Sequence, residues 1–260
     1  ADQKETIVAL SDRDDDNVKL LTKTSLTAPW KVEVLDDLKA HLIVKDYGYI
    51  VAAAAGFFAS GKPWVLVYAS GTVDERGLYV VSQSMDGSWA FPDITRVPGT
   101  ELMKNAVGNL RTHSLSNGKD AILSWNERPT SSGVPNYDIV AMHWDLESRA
   151  FGPKTMLLSQ EVSHLSGTTE PLVLEHDNGG VHKVKVFADA GFSTVKSIWS
   201  EFDLENKTFS QIKNLNKSDE AAPIIHPCGG FGALYRKAIR DDEVPYEDKF
   251  RVKVLEEPVL

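Results

Sequence analysis

The chain has 260 residues, of which 42% are hydrophobic and 25% charged, a composition typical of a folded globular protein. With 37 acidic against 28 basic residues, its formal net charge is -9. No basic block interleaved with aromatic residues occurs, so nucleic acid is not an expected partner. No apolar run approaches the ~20 residues that a membrane helix needs, so no membrane insertion is expected.

Several classes of chemistry are excluded by residues that the chain lacks. Cys228 is the only cysteine, which excludes an intrachain disulfide and a zinc site with two thiolates. No Gly-x-Ser-x-Gly elbow, phosphate-binding glycine-rich loop or dinucleotide fingerprint occurs, so no cofactor is expected. The aspartates within residues 12–16 alternate like calcium ligands, but Asn17 stands where such a loop needs Gly, and Lys23 where it needs Glu. No metal is expected.

The sequence starts at Ala1-Asp2-Gln3, without Met and without an apolar signal region. That start fits a secreted or periplasmic chain numbered from its processed end, and it fits a trimmed sequence equally well. A secreted or periplasmic location is the expectation.

Along the chain, short apolar runs alternate with extended segments rich in β-branched and aromatic residues. The apolar runs suit strands that are buried on both faces. Turn signals such as Ser60-Gly61-Lys62-Pro63 precede them, which implies a hairpin from an earlier, inner strand. No stretch has a 3.6-residue apolar period long enough for a core helix. The apolar runs are residues 6–10, 64–68, 121–125, 184–187 and 232–235, and the extended segments are residues 18–24, 78–84, 137–144 and 195–202.

A self-match sets the period of these elements. Asp145-Leu146-Glu147-Ser148-Arg149-Ala150-Phe151 recurs 58 residues later as Asp203-Leu204-Glu205-Asn206-Lys207-Thr208-Phe209, with identity or close chemistry at all seven positions. Looser copies end at Trp30 and Trp89. The four anchor aromatics are therefore spaced by 59, 62 and 58 residues.

A period of roughly 60 residues with four strands per unit predicts a single β-propeller domain of about five four-stranded antiparallel blades. The alternative is a β-sandwich, or two of them. A sandwich does not need such a self-match, whereas every blade of a propeller must present the same faces to its neighbours. The predicted units are residues 5–35, 36–97, 98–157, 158–218 and 219–260, with the two terminal units incomplete.

The stretch from Trp64-Val-Leu-Val-Tyr-Ala-Ser through Gly77-Leu-Tyr-Val-Val-Ser-Gln-Ser-Met-Asp-Gly-Ser-Trp resembles a blade of the five-bladed propeller glycosidases, the arabinanase and invertase-like clan. Phe151-Gly152-Pro153 is similar to the closing turn of those blades. The same pattern occurs in sialidase-like propellers and in propeller lectins. The resemblance covers most of the units and implies carbohydrate as the partner.

The clan resemblance also implies catalytic acids on the inner strands, with an inverting pair roughly 6.5–9.5 Å apart. Glu170, followed by Pro171, is similar to the clan's general acid, and Asp46 is the candidate for the base. The middle unit has Asn109-Leu110-Arg111 where a further acid is expected, so the triad is incomplete.

The loops that join second to third strands surround the funnel mouth of a propeller, and in this sequence they are unusually polar. Sugar recognition needs carboxylates, amides and guanidinium groups for paired hydroxyls, and an aromatic face for the ring. Candidate ligand-binding residues are Asp74, Glu75, Arg76, Asn126, Glu127, Arg128, Asp189 and Tyr246.

Polar loops together with an incomplete acid triad favour a non-catalytic, glycan-binding, lectin-like propeller. A glycoside hydrolase of the arabinanase-like type, using Glu170 and Asp46, is the alternative. A scaffold that binds protein through one face of the propeller is a further alternative.

Overall fold

The computed structural model describes residues 6–11, 17–25, 27–35, 38–42, 48–70, 76–100, 108–127, 136–161, 171–190, 196–214, 220–225, 230–239 and 247–256. The regular structure within these ranges is β-strand, apart from the four-residue helix α1 (Leu38–His41). The prediction of an all-β chain is confirmed.

In the part of the chain that the structure describes, five sheets follow one another, and their strands lie side by side in sequence order, with one exception in the fourth sheet. The first sheet is β1 (Thr6–Ser11), β2 (Val18–Lys23) and β3 (Lys31–Leu35). The second is β4 (Tyr49–Phe57), β5 (Pro63–Ser70), β6 (Gly77–Ser82) and β7 (Asp93–Arg96). The third is β8 (Gly108–Ser114), β9 (Asp120–Glu127), β10 (Asn136–Asp145) and β11 (Thr155–Glu161).

The fourth sheet is β12 (Leu172–Asn178), β13 (Val181–Ala190), β14 (Lys196–Asp203) and β15 (Thr208–Phe209), with β16 (Lys213–Asn214) also paired to β14. The fifth is β17 (Glu220–Ile225), β18 (Phe231–Ile239) and β19 (Glu247–Glu256). The strand pairs of the first, second, fourth and fifth sheets are antiparallel, as is the pair of β10 with β11. These sheets are therefore meanders, whose strands need only short connections.

The described residues fall into two compact units. The first holds the first two sheets, β8, and residues 120–123, 127 and 142–154. The second holds residues 124–126 and 136–141 and all described residues from 155 onward. Each unit has a core of its own, described separately below.

In the first unit, the first two sheets share one apolar core. Val18 and Leu20 of β2 pack with Val65 and Val67 of β5 and with Leu38 of α1, and all five are buried. The strand β5 is buried from Trp64 to Ala69, as predicted for a strand covered on both faces. The prediction is wrong for β1, whose side chains alternate between exposed and half-buried because one face of the first sheet is uncovered in the structure.

In the second unit, the fourth and fifth sheets meet through aromatic residues. Phe187 of β13 and Trp199 of β14 pack with Phe231 and Ala233 of β18, and all four are buried. The Trp199 and Phe231 rings meet edge to face, with centroids 5.2 Å apart. This geometry is favourable for aromatic pairs, so these rings join the two sheets.

The two matching heptads fold into the same turn. The Asp145 carboxylate accepts hydrogen bonds from the backbone N–H groups of Glu147 and Ser148, at 2.8 and 2.9 Å. Asp203 binds the equivalent N–H groups of its own turn in the same way. Arg149 and Lys207 take positive φ angles of 64° and 55°, which few non-glycine residues adopt. The self-match therefore corresponds to one local structure that occurs twice.

Aromatic pairs close both of these turns. Trp144 and Phe151 form a bridge and stack with ring centroids 5.4 Å apart. Phe202 and Phe209, each 58 residues further along, are paired in β14 and β15 with centroids 4.9 Å apart. Phe151 and Phe209 thus stabilise the turn in which the chain reverses direction after the third strand of each sheet. Trp30 differs, because it is 45% exposed and lies beside the Lys23 ammonium.

Replacing the turn aspartate tests this structure. The N–H groups of Ser148 and then of Glu147 hold the pKa of Asp145 below its ordinary value of 3.8, although burial opposes them. A lowered pKa means that the stabilisation is present above about pH 4 and is lost as the pH falls through the folded-state pKa. We expect Asp145→Ala to lower the free energy of unfolding by about 0.5–1 kcal/mol at neutral pH, as measured in urea. At about pH 2 the variant and the wild type should be equally stable. Asp145→Asn, which keeps the acceptor oxygen, should cost less; an equal cost would contradict this account.

Candidate functional site

The predicted site residues divide into those that the structure describes and those that lie outside the described residues. Outside are both members of the predicted catalytic pair and four of the eight predicted ligand-binding residues, so their roles stay predictions. They are Asp46, Glu170, Asp74, Glu75, Arg128 and Tyr246, of which the first two are the catalytic pair and the other four belong to the loops; Asp189 is described only in its backbone.

Three of the described candidates, Asn126, Glu127 and Asp189, lie in strands rather than in loops. Asn126 belongs to β9, and Asp189 belongs to β13, where its backbone is in register with Ser197 of β14. Arg76 directly precedes β6, and its carbonyl oxygen accepts a hydrogen bond from the Arg96 guanidinium. The loops predicted from polarity are therefore shorter in the structure, because strand pairing extends into their polar ends.

Glu127 is occupied by a contact within the first unit. The Lys154 ammonium lies 2.8 Å from its Oε1 and donates a second bond to the carbonyl oxygen of Gly99, also at 2.8 Å. The Glu127 side chain is only 11% exposed. A carboxylate held in this way stabilises the connection around Gly99 and is poorly placed to bind a ligand.

Asn126 has a different environment in the second unit. Its side chain is 2% exposed, and among the described residues neither the amide nitrogen nor the amide oxygen has a hydrogen-bond partner. Burying an amide without partners costs roughly 1–3 kcal/mol, and native proteins rarely leave such a group unexplained. Asn126 is the last buried residue of β9, and it is the first residue of the 126–136 segment that the sequence predicts to be a ligand-binding loop.

Two further polar side chains of the second unit share this property, and the sequence analysis did not select them. Ser124 of β9 is fully buried with its hydroxyl unpartnered, and Asp138 of β10 is 9% exposed with Oδ1 unpartnered. Because strand side chains alternate, Ser124 and Asn126 lie on the same face of β9. The neighbouring strand β10 carries Asp138 near its start. The available signal was a polar residue inside each of two apolar strand segments.

A buried pair in the first unit has a structural explanation. His143 Nε2 lies 2.6 Å from Asp120 Oδ1, and both side chains are 6% exposed. The other oxygen of Asp120 accepts a hydrogen bond of 2.7 Å from the Asn117 amide, in the turn between β8 and β9. These contacts fix the hairpin turn, where Gly118 has a φ of 68°. The carboxylate is therefore used for the fold.

A histidine in the second unit lies between two carboxylates. His182 of β13 places Nε2 3.0 Å from Glu175 and Nδ1 3.0 Å from Asp177, both on β12. Burial alone would lower the pKa of His182, but the hydrogen bonds and charges of Asp177 and Glu175 together raise it above 6.5. The two carboxylates therefore favour the protonated imidazole more than water does in a free histidine.

A pH dependence of stability follows from His182. Because its folded-state pKa is raised, the stabilisation is fully present below about pH 6.5 and is lost as the pH rises through the folded-state value. We expect His182→Gln to cost roughly 0.5–1 kcal/mol near pH 5.5, and clearly less near pH 9. Urea unfolding at both pH values measures this. Asp177→Asn should lower the His182 pKa in an NMR titration, and a mutational cost that grows with pH would show the assignment to be wrong.

Comparison with known proteins gives no family. The chain matches no family model and no curated protein. Among solved structures, it is similar to a protein of unknown function from Dyadobacter fermentans (10% identity, TM-score 0.41), with 98% of this chain and 80% of that chain covered. An endo-1,4-beta-xylanase from Bacteroides thetaiotaomicron is 10% identical with a TM-score of 0.39, over 98% of this chain and 96% of that chain.

A triple mutant of AofleA from Arthrobotrys oligospora is 12% identical with a TM-score of 0.42, over 100% of this chain and 75% of that chain. Likenesses at these identities and scores assign neither a fold family nor an activity. Within the described ranges, no helix is long and apolar enough to cross a bilayer. The described His, Cys, Asp and Glu side chains also form no group of three that could hold a metal.

Proposed function

We propose that the chain is a glycan-binding, lectin-like β-propeller of about five blades. Five successive sheets and the recurring turn after the third strand support the propeller. Within the first unit β1 contacts β4 and β4 contacts β8, and within the second unit β13 contacts β17. Successive sheets packed on one another are what radial repetition requires.

The observation that carries glycan binding is the buried, unpartnered carboxamide of Asn126. A carboxamide offers one acceptor and two donor hydrogens, and a sugar hydroxyl offers both a donor and an acceptor. Arg128, a predicted ligand-binding residue, follows Asn126 two positions later in the sequence. A hydroxyl-bearing ligand that reaches Asn126 would supply the hydrogen bonds that the amide lacks in the free protein.

Asn126→Leu separates binding from folding. Leucine has a similar size and no polar atoms, so it relieves the cost of burying an unpartnered amide. We expect the free energy of unfolding to stay unchanged or to rise by about 1 kcal/mol, while glycan binding weakens about tenfold or more. Urea unfolding gives the first quantity. A glycan array followed by calorimetric titration of the best saccharide gives the second.

The control is Asn206→Ala, which changes an exposed asparagine in the Asp203 turn of the same unit. It should leave saccharide binding as in the wild type. If the Asn126→Leu variant binds saccharide as strongly as the wild type, Asn126 does not contact the ligand. No binding of any saccharide at millimolar concentration would overturn the proposed function itself, and a stoichiometric protein partner found instead would favour the scaffold.

The hydrolase alternative depends on Glu170 and Asp46, which lie outside the described residues. If it holds, Glu170→Gln abolishes release of sugar from a polysaccharide while the far-ultraviolet circular dichroism spectrum is unchanged. Unchanged turnover would eliminate it. A secreted or periplasmic location, where glycans are accessible, is part of the same proposal.

A further inference from the structure

The Asp203 turn carries a sequence motif that the proposed function does not use. Asn206-Lys207-Thr208 has the form Asn-x-Thr, with a residue other than proline in the middle, which is the acceptor pattern for N-linked glycans. Such a short pattern also arises by chance, so its surroundings decide whether it is usable. Asn216-Lys217-Ser218 has the same form but lies outside the described residues.

The acceptor asparagine lies in an exposed turn at the edge of the fourth sheet. Asn206 and Thr208 are both exposed. The turn joins β14 to β15, which are paired next to it, and β15 lies at the opposite end of the strand order from β12. A bulky polar group attached to Asn206 would therefore displace no buried side chain, and a surface position of this kind is what an N-linked glycan requires.

The side-chain amide of Asn206 is compatible with both the turn and an attached sugar. Its Nδ2 donates a hydrogen bond of 2.8 Å to Asp203 Oδ2, and its backbone N–H binds Asp203 Oδ1 at 3.0 Å. These bonds, the side-chain one first, hold the pKa of Asp203 below its ordinary value of 3.8. A primary amide has two N–H donors, so replacing one hydrogen by a sugar leaves the other for the Asp203 carboxylate. The glycosylated turn can therefore keep its hydrogen bonds.

The matching heptad shows that the turn itself does not require the motif. Ser148 and Ala150 stand at the positions of Asn206 and Thr208, and the Asp145 turn has the same hydrogen bonds from the backbone to its aspartate. Serine and alanine are therefore sufficient for this local structure, and the Thr208 hydroxyl is not needed to form it. The Asp145 turn is an internal control that has the fold of the site without the acceptor pattern.

We infer that Asn206 is an acceptor site for an N-linked oligosaccharide. The transfer joins Asn206 Nδ2 to the anomeric carbon of an oligosaccharide that is supplied as a lipid-linked pyrophosphate ester. The bond between that carbon and a pyrophosphate oxygen breaks, the lipid pyrophosphate leaves, and one amide proton is released. The inference goes beyond the proposed function, because it concerns a sugar attached covalently to the chain rather than one that the chain recognises. It requires passage through a secretory pathway, as the proposed secreted location implies.

The full chain, directed into the secretory pathway of a eukaryotic cell by an added leader, tests the inference. We expect mass spectrometry to find glycan on the peptide that contains Asn206, and enzymatic release of the glycan to leave an aspartate at position 206. Thr208→Ala should abolish the modification, whereas Thr208→Ser, which keeps a hydroxyl, should retain it. The double variant Ser148→Asn with Ala150→Thr should gain a glycan in the Asp145 turn, because that turn has the same structure.

Three outcomes would overturn the inference: an unmodified Asn206 in cells that glycosylate the double variant, the absence of glycan from both turns, or glycan at Asn216 alone. Urea unfolding of Thr208→Ala from a bacterial host should give the wild-type free energy of unfolding, since alanine already stands at this position in the Asp145 turn. A loss of glycan in that variant is then due to the missing hydroxyl rather than to misfolding. Saccharide titrations use chain from a bacterial host that lacks the transferase, so none of these outcomes bears on the proposed function.

Discussion

Trp144→Ala is expected to lower the free energy of unfolding by about 3–5 kcal/mol, the largest effect of a single substitution in the first unit. The Trp144 side chain is 1% exposed. Its ring lies 4.8 Å from that of Trp64, 5.6 Å from that of Phe58 and 5.4 Å from that of Phe151, measured between centroids. Truncation removes all three aromatic contacts and leaves a cavity that a rigid sheet cannot close.

Trp144→Phe is the matched control for this variant. It keeps an aromatic ring at the same place and removes an indole N–H that has no hydrogen-bond partner. Its cost should therefore be well below that of alanine, roughly 1–2 kcal/mol. Urea unfolding followed by circular dichroism measures both. A cost of less than about 1 kcal/mol for Trp144→Ala would show that the aromatic cluster is not a principal part of the core.

The features that were predictable from the sequence are local ones. The self-match predicted one turn at two places, because an aspartate, a residue at positive φ and a closing aromatic residue are all encoded within seven residues. The strands β5 and β9 were predictable as buried on both faces, because Val, Leu and Trp fill consecutive positions in them. The apolar pattern of a strand and the residue preferences of a turn each involve only a few neighbouring residues, so both can be recognised in a single sequence.

The features that were not predictable depend on contacts between distant residues. Asn126 was expected in a wet loop because Asn, Glu and Arg follow one another there, but strand pairing buries it. The pairing of His143 with Asp120 joins residues on different strands, and no spacing rule indicates it. Gly56 looks like an ordinary strand residue, although a Cβ there would collide with the Trp64 ring. Tertiary packing determines each of these.

In the candidate site, too, some features are predictable from the sequence and others depend on contacts between distant residues. The sequence predicts a polar binding loop after β9 from composition alone, and that binding role stays a prediction. The sequence does not indicate which polar residues lack partners, because that depends on the neighbours that the fold supplies. Glu127 and Asn126 are adjacent, yet one is paired with Lys154 and the other is buried without a partner. Only the structure separates a carboxylate held in an ion pair from an amide that is buried without a hydrogen-bond partner among the described residues.

The buried ammonium of Lys185 gives the second large expected effect. Lys185 of β13 has no exposed surface, its Nζ lies 2.7 Å from Glu201 Oε2, and it is 4.6 Å from the Trp199 ring centroid and 5.3 Å from that of Phe231. The aromatic faces attract the cation, but a carboxylate is needed to offset the cost of removing an ammonium from water. Glu201→Ala should therefore cost about 2–4 kcal/mol, somewhat less than for a fully buried pair because the Glu201 side chain is 36% exposed.

Removing the Lys185 ammonium should change the free energy of unfolding much less than removing the Glu201 carboxylate. Lys185→Met keeps the length and packing of the side chain against Trp199 and Phe231, so it should cost less than about 1 kcal/mol or stabilise the fold. With methionine at 185, the further change Glu201→Ala should cost almost nothing, because no buried charge is then left unpaired. Unfolding in urea of the two single variants and the double variant forms a double-mutant cycle. Additive costs in that cycle would show that the ion pair does not hold these strands together, and that the aromatic packing between the fourth and fifth sheets is sufficient by itself.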